Sequence, residues 1–205
     1  YSPSLLPVYG QVLYALKVEH ALVVHCCGLD ELAPLGTAEA VEVTREGVKK
    51  LTIDVLAYEG VEKCTIADLR GGDCQENAKT LVELFSGGEK SKGAVGDTVA
   101  LNAGAGRYVY GPAASIEGGF KIARAALTEG KALRKLEEWV VMTHRQREKE
   151  VAAEASPEDY TQEKMDAASS PATWKGKTMR DVVDEYRAKG DAWEGSKSGV
   201  FRYQQ

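Results

Sequence analysis

The residues whose type and spacing best suit chemistry are two neighbours, Asp30 and Glu31, in the segment His25-Cys-Cys-Gly-Leu-Asp-Glu31. Adjacent carboxylates just past an apolar run suit a hard cation such as Mg²⁺, which prefers oxygen ligands. Ligands of open α/β sheets gather beyond the carboxyl ends of strands, where this pair falls. The same two residues also fit an ordinary solvated acidic loop, and spacing alone does not separate these readings. His25 ends the apolar run, and a histidine there is read as a hydrogen-bonded structural group. No serine or cysteine has a histidine and an acid arranged as a triad.

Two glycine-containing segments are read as structural. Leu69-Arg-Gly-Gly-Asp-Cys-Gln-Glu-Asn77 has glycines ahead of a helix, as phosphate loops do, but lacks the Walker lysine and the GxGxxG spacing. Asp73 would repel a phosphate at that helix start. Asp73 as N-cap, with Glu76 completing a capping box, is the stronger reading. Leu101-Asn-Ala-Gly-Ala-Gly106 is a run of small side chains inside a helix, read as a place of close packing.

The elements that must position these residues follow from periodicity. Ser4 can cap a helix carrying Leu5, Tyr9, Val12, Leu13 and Leu16. Residues 21–26 form a continuous apolar run typical of a strand buried on both faces. Residues 38–44 and 48–55 read as two strands about the turn Arg45-Glu46-Gly47, and a short extended piece near 63–66 as a further strand. Helices are expected at 75–85, 97–110, 115–129 and 131 to about 150. The fold class expected is α/β, a small mixed β-sheet flanked by helices. A largely irregular polar extension with one short helix follows, where Met179, Val182, Val183 and Tyr186 fall at i, i+3, i+4, i+7. The division expected is a domain over 1–145 and an extended tail over 146–205.

Composition narrows the function. The 205 residues carry 26 basic and 31 acidic side chains, net −5, without the basic face that nucleic acid favours. No run approaches the ~18 apolar residues of a membrane span. The four cysteines, Cys26, Cys27, Cys64 and Cys74, show no CxxC pairing and no secreted framework. Cys26 and Cys27 are expected as buried, reduced thiols. The first residue is Tyr1, so the chain is expected to begin inside a longer gene product.

Taken together, several segments resemble a known family. They are YSPSLLPVYGQVLYALKVEHALVVH, GLDE, LRGGDCQENA, LNAGAGRYVYG and SIEGGFKIARAALTEGKALRKLE, in this order over residues 1 to about 139. They resemble the C-terminal part of anthranilate phosphoribosyltransferase, which joins anthranilate to phosphoribosyl pyrophosphate in tryptophan biosynthesis. The resemblance implies part of a central α/β domain. It also implies that Asp30 and Glu31 match the acidic pair that holds Mg²⁺ with the pyrophosphate substrate. The family's pyrophosphate and phosphate loops and its anthranilate-binding residues would lie upstream of Tyr1. Departures include Gly104, Gly106 and Arg107 in place of an alanine-rich helix, and Ala33-Pro34 in place of Ser-Pro.

The reading favoured from sequence is a non-catalytic, phosphoribosyltransferase-like structural or docking subunit of a larger assembly. Without the upstream loops, two carboxylates do not align and neutralise the substrates. Ordering the polar tail costs ~1–2 kcal/mol of backbone entropy per residue, which its few apolar side chains do not return. Its scattered Trp174, Met179, Val183, Tyr186, Trp193, Phe201 and Tyr203 therefore read as anchors for protein partners. No cofactor is expected on this reading, and no nucleic acid. A peripheral subunit of a photosynthetic complex in the plastid stroma fits these features, with the cytoplasm as the alternative location. The alternative function is the C-terminal part of an active anthranilate phosphoribosyltransferase, a glycosyltransferase-class enzyme that would use Mg²⁺.

Overall fold

The computed structural model describes residues 2–154. After a single turn at Pro3–Leu5, helix α1 (Leu6–Ala15) leads into strands β1 (His20–His25), β2 (Ala38–Thr44) and β3 (Gly47–Ile53). Helices α2 (Cys74–Ser86), α3 (Ala94–Tyr110), α4 (Ile116–Thr128) and α5 (Lys131–Glu154) follow. The α/β class matches the sequence expectation. Both strand pairs are antiparallel, in the order β1-β2-β3, so no parallel pair occurs among the described residues. The connections explain this. A tight turn joins β2 to β3, and the loop between β1 and β2 contains no helix, whereas a parallel pair needs a long crossover.

β2 is central and its alternation feeds two cores. Ala38 and Ala40 pack with Leu22, Val24, Leu51 and Ile53 against Leu101, Phe120 and Leu127 of the helices. Val41 and Val43 point the other way, meeting Ala21, Val23 and Val48 beneath Leu6 and Leu13. The period-2 pattern therefore puts Val41 and Val43 on the face opposite Leu51 and Ile53. Gly10 lets α1 approach, since a Cβ there would lie 2.6 Å from Val41 Cγ1.

Local signals set the helix starts. Asp73 Oδ1 accepts from the backbone N–H groups of Gln75 (2.8 Å) and Glu76 (3.0 Å), and Glu76 Oε2 accepts from Asp73 N–H (3.0 Å). That is the expected capping box. Ser115 caps α4 through Gly118 N–H at 3.0 Å. Ser2, not Ser4, caps the first turn. Helix α3 starts three residues before Asp97, which is buried and paired with Arg124. Arg124 also donates to the carbonyls of Glu59 and Gly60, each at 2.8 Å, tying the loop after β3 to α4. Residues 63–66 are not a strand: Asp68 Oδ2 accepts from Thr65 N–H (2.8 Å) and Thr65 Oγ1 (2.7 Å), and the chain enters a turn over residues 66–69. Helix α5 runs without interruption through residue 145 to Glu154.

A half-buried polar cluster joins α3 to the sheet. Glu42 Oε1 accepts from Tyr108 O–H at 2.6 Å and lies 3.0 Å from His20 Nε2. Burial pushes the Glu42 carboxyl up, but the Tyr108 and His20 hydrogen bonds, with the charges of His20 and Lys49, outweigh it and hold it low. A carboxylate held low contributes stability above its unfolded pKa of ~4.3 and loses it as pH falls through the folded value. The wild-type chain should therefore lose stability on acidification below about pH 4.3 more steeply than Glu42→Gln, as read from denaturant midpoints against pH.

The small-residue run in α3 packs as its composition implies. A Cβ on Gly104 would lie 2.3 Å from Phe120 N, and one on Gly119 2.1 Å from Gly104 O, so α3 and α4 touch backbone to backbone. Gly106 faces open space. Gly104→Ala should lower stability by ~1–3 kcal/mol through overpacking. Gly106→Ala should raise it by ~0.5–1 kcal/mol through helix propensity. Thermal melts of the two variants test this opposition.

Candidate functional site

The acidic loop is built at the end of β1. Cys26 N–H donates to Leu29 C=O (3.0 Å) and Leu29 N–H returns to Cys26 C=O (2.9 Å), closing a two-residue turn. Its central residues, Cys27 (φ 52°) and Gly28 (φ 97°), both take positive φ, as a type I′ turn demands. Gly28 N–H lies 3.4 Å from His25 Nε2, so His25 serves the turn, as its position suggested. The turn brings the chain to Asp30, which is exposed, and Glu31, which is half-buried.

Beyond the pair, Leu32, Ala33 and Pro34 are buried. Asn102 of α3 fastens them. Its Oδ1 accepts from Leu32 N–H (2.9 Å), and its Nδ2 donates to Leu32 C=O (2.7 Å) and to Thr98 C=O (2.8 Å). Cys26 Sγ donates to Ala33 C=O at 3.3 Å and is within 3.6 Å of Gly36 C=O. The loop that presents the carboxylates is thus held by α3 on one side and by a buried thiol on the other. Cys26 is buried as expected, but Cys27 is exposed, because β1 ends at His25 and Cys27 belongs to the turn. All four cysteines are free.

Electrostatically the pair is frustrated. Burial, and then the charge of adjacent Asp30, pushes the Glu31 carboxyl above its usual range. A cation at the loop would relieve both effects. Asp30 and Glu31 are the residues here that could hold a hard cation such as Mg²⁺. Two carboxylates are present, and no group of three or more His, Cys, Asp or Glu able to hold a metal occurs among the described residues. Asp30 and Glu31, neighbours in sequence, thus precede a loop residue held at Leu32. The sequence candidates Trp174, Met179, Val183, Tyr186, Trp193, Phe201 and Tyr203, and the tail that bears them, lie outside the described residues. Asn102 escaped the sequence reading, which took its whole segment as packing. Among the described residues no helix is long and apolar enough to cross a membrane.

The geometry defines a small sheet with helices on both faces and an acidic loop at one strand end. The family "Glycosyl transferase family, a/b domain" matches residues 1–133, and the chain belongs to that family. Within it the chain is phosphoribosyltransferase-like. It is 37% identical over 127 residues to the anthranilate phosphoribosyltransferase of Chlamydia felis, covering 62% of this chain and 36% of that protein. To the anthranilate phosphoribosyltransferase of Desulforamulus reducens it is 36% identical over 137 residues, covering 66% and 39%. The crystal structure of anthranilate phosphoribosyltransferase from Thermus thermophilus superposes with a TM-score of 0.59 at 34% identity, covering 69% of this chain and 40% of that one. The chain therefore spans about 40% of the length of the relatives it matches.

Asn102→Ala should leave the Leu32 N–H and C=O without their side-chain partner and lower stability by ~1–3 kcal/mol, measured as a fall in denaturant midpoint.

Proposed function

We propose that this chain contributes the cation-binding side of a phosphoribosyl transfer site, with anthranilate and phosphoribosyl pyrophosphate as the substrates. The single observation behind this reading is the acidic pair kept on a fixed loop although Glu31 is raised by burial and by Asp30. A fold retains such repulsion at a functional site more readily than on an idle surface. Its relatives' names supply the reaction. Asp30 and Glu31 would hold Mg²⁺, which supplies charge neutralisation to the departing pyrophosphate. Asn102 fixes the backbone beside the pair, so the carboxylates meet their ligand already oriented. Alignment of the anthranilate amine is assigned to residues outside the matched 40% of the relatives.

A second reading is a non-catalytic structural or docking subunit of a larger assembly, including a peripheral stromal subunit of a photosynthetic complex. One observation favours it. Val8, Tyr9, Val12 and Leu16 of α1 and its C-cap are exposed, with Leu16 at 70%, which leaves an apolar stripe for another protein surface.

Calorimetric titration with Mg²⁺ and pyrophosphate separates the two. The first reading predicts saturable binding that weakens about tenfold or more in Glu31→Gln, a loss of at least ~1.4 kcal/mol. The same variant should be more stable than wild type at neutral pH. A carboxyl raised in the folded state destabilises it once pH exceeds the unfolded value, and the amide removes that penalty. Loss of binding would then not be loss of fold. A wild-type chain that melts cooperatively yet binds no Mg²⁺-pyrophosphate would favour the docking subunit.

A further inference from the structure

Two thiols stand side by side where β1 ends, and the phosphoribosyl transfer proposed for this chain uses neither of them. Cys26 is fully buried and Cys27 is exposed. Both sulfurs converge on Gly36. Cys26 Sγ lies 3.6 Å from Gly36 C=O, and a Cβ on Gly36 would stand 3.0 Å from Cys27 Sγ. The bare Cα of Gly36 thus leaves room for the Cys27 thiol against the same residue that Cys26 touches. The two thiols also act on each other: burial pushes the Cys26 thiol up, and the neighbouring Cys27 adds to that effect.

Chemistry narrows what such a pair can hold. A disulfide fits poorly, because Cα atoms joined by a trans peptide lie ~3.8 Å apart, below the ~4.4 Å at which relaxed disulfides begin. Zinc fits poorly as well. It takes four ligands, and no group of three or more His, Cys, Asp or Glu able to hold a metal occurs among the described residues. Trivalent arsenic needs only two sulfurs and keeps its own third substituent. With bonds near the ~2.3 Å of metal–thiolate pairs, it leaves the sulfurs roughly 3–4 Å apart, so they need not close to disulfide distance.

We propose that Cys26 and Cys27 form a vicinal dithiol site for trivalent arsenic compounds of the type R–As=O. Cys27, in solvent, meets the arsenic first and forms one As–S bond. Cys26, held beside it, forms the second as an intramolecular step, which offsets the inertness of a buried thiol. Two S–H bonds and the As=O bond break, two As–S bonds form, and the oxygen leaves as water with both thiol protons. Arsenic stays trivalent, so no oxidant or reductant is consumed. Ring closure removes the S–H that Cys26 donates to the C=O of buried Ala33 at 3.3 Å. Residues 32–36 then lose one inner tie and loosen, with Asn102 remaining as the other.

The test adds phenylarsine oxide to the full chain carrying Cys64→Ser and Cys74→Ser, which leaves the pair as its only thiols. Native mass spectrometry should find one arsenical per chain, retained in excess mercaptoethanol and released by dimercaptopropanol. Cys27→Ser on that background changes an exposed side chain and should keep the melting temperature. It should weaken capture about tenfold or more, because the second As–S bond is then lost. Amide exchange across residues 32–36 should quicken severalfold in the arsenical-bound chain. Capture indifferent to Cys27→Ser, release by the monothiol alone, or no capture by a chain that melts as wild type does would each overturn the proposal. So would amide exchange at residues 32–36 that the arsenical leaves unchanged.

Discussion

The fastening of Leu32 by Asn102 is the interaction on which the site depends. A single amide side chain satisfies both backbone groups of Leu32 and reaches back to Thr98 in its own helix. It therefore welds a loop of β1 to the middle of α3. Leu32 is fully buried and takes the loop's direction with it into the core shared by sheet and helices. Glu31 is immediately before it and Asp30 one residue earlier, the first half-buried and the second exposed. Burial beside that anchored residue, and then the charge of Asp30, raises Glu31.

Anchorage requires α3 to be close, and small residues make it so. Gly104 and Gly119 bring α3 and α4 into backbone contact, while Phe120 fills the space beside them and tilts against Tyr58 at 5.7 Å between ring centroids. Arg124, over the Phe120 ring at 4.8 Å, carries the same helix pair to the loop after β3 and to buried Asp97. At the far end of α3, Tyr108 reaches Glu42 in the central strand. One helix thus meets the loop after β1 through Asn102 and the sheet through Tyr108, with apolar packing between them.

Features with local causes were legible in the sequence. The Asp73–Glu76 capping box needs only residues three apart, and the helices that follow it need only apolar periodicity and caps. The acidic pair was legible as a pair because its members are adjacent. Asn102 was not, because its partner is 70 residues away and nothing in Leu-Asn-Ala-Gly distinguishes a solvated amide from one that clamps a distant backbone. The exposure of Cys27 turned on β1 ending one residue earlier than the apolar run suggests. The antiparallel sheet turned on strand pairing, which the apolar content of β1 does not reveal, and the turn at 66–69 on Asp68 capturing Thr65. Membership of the glycosyl transferase family was legible from the order of five separated motifs, a signal stronger than any one of them.

We propose that Asp30 and Glu31, next to the Leu32 that Asn102 holds, form a cation site completed by a pyrophosphate ligand. Amide NMR of the full chain, with substoichiometric Mn²⁺ added in the presence of pyrophosphate, tests it most directly. Paramagnetic broadening is expected to centre on the amides of Leu29 to Leu32, to depend on pyrophosphate, and to vanish in the double variant Asp30→Asn, Glu31→Gln. Broadening centred on the exposed acids of α5 instead, or unchanged in the double variant, would contradict it.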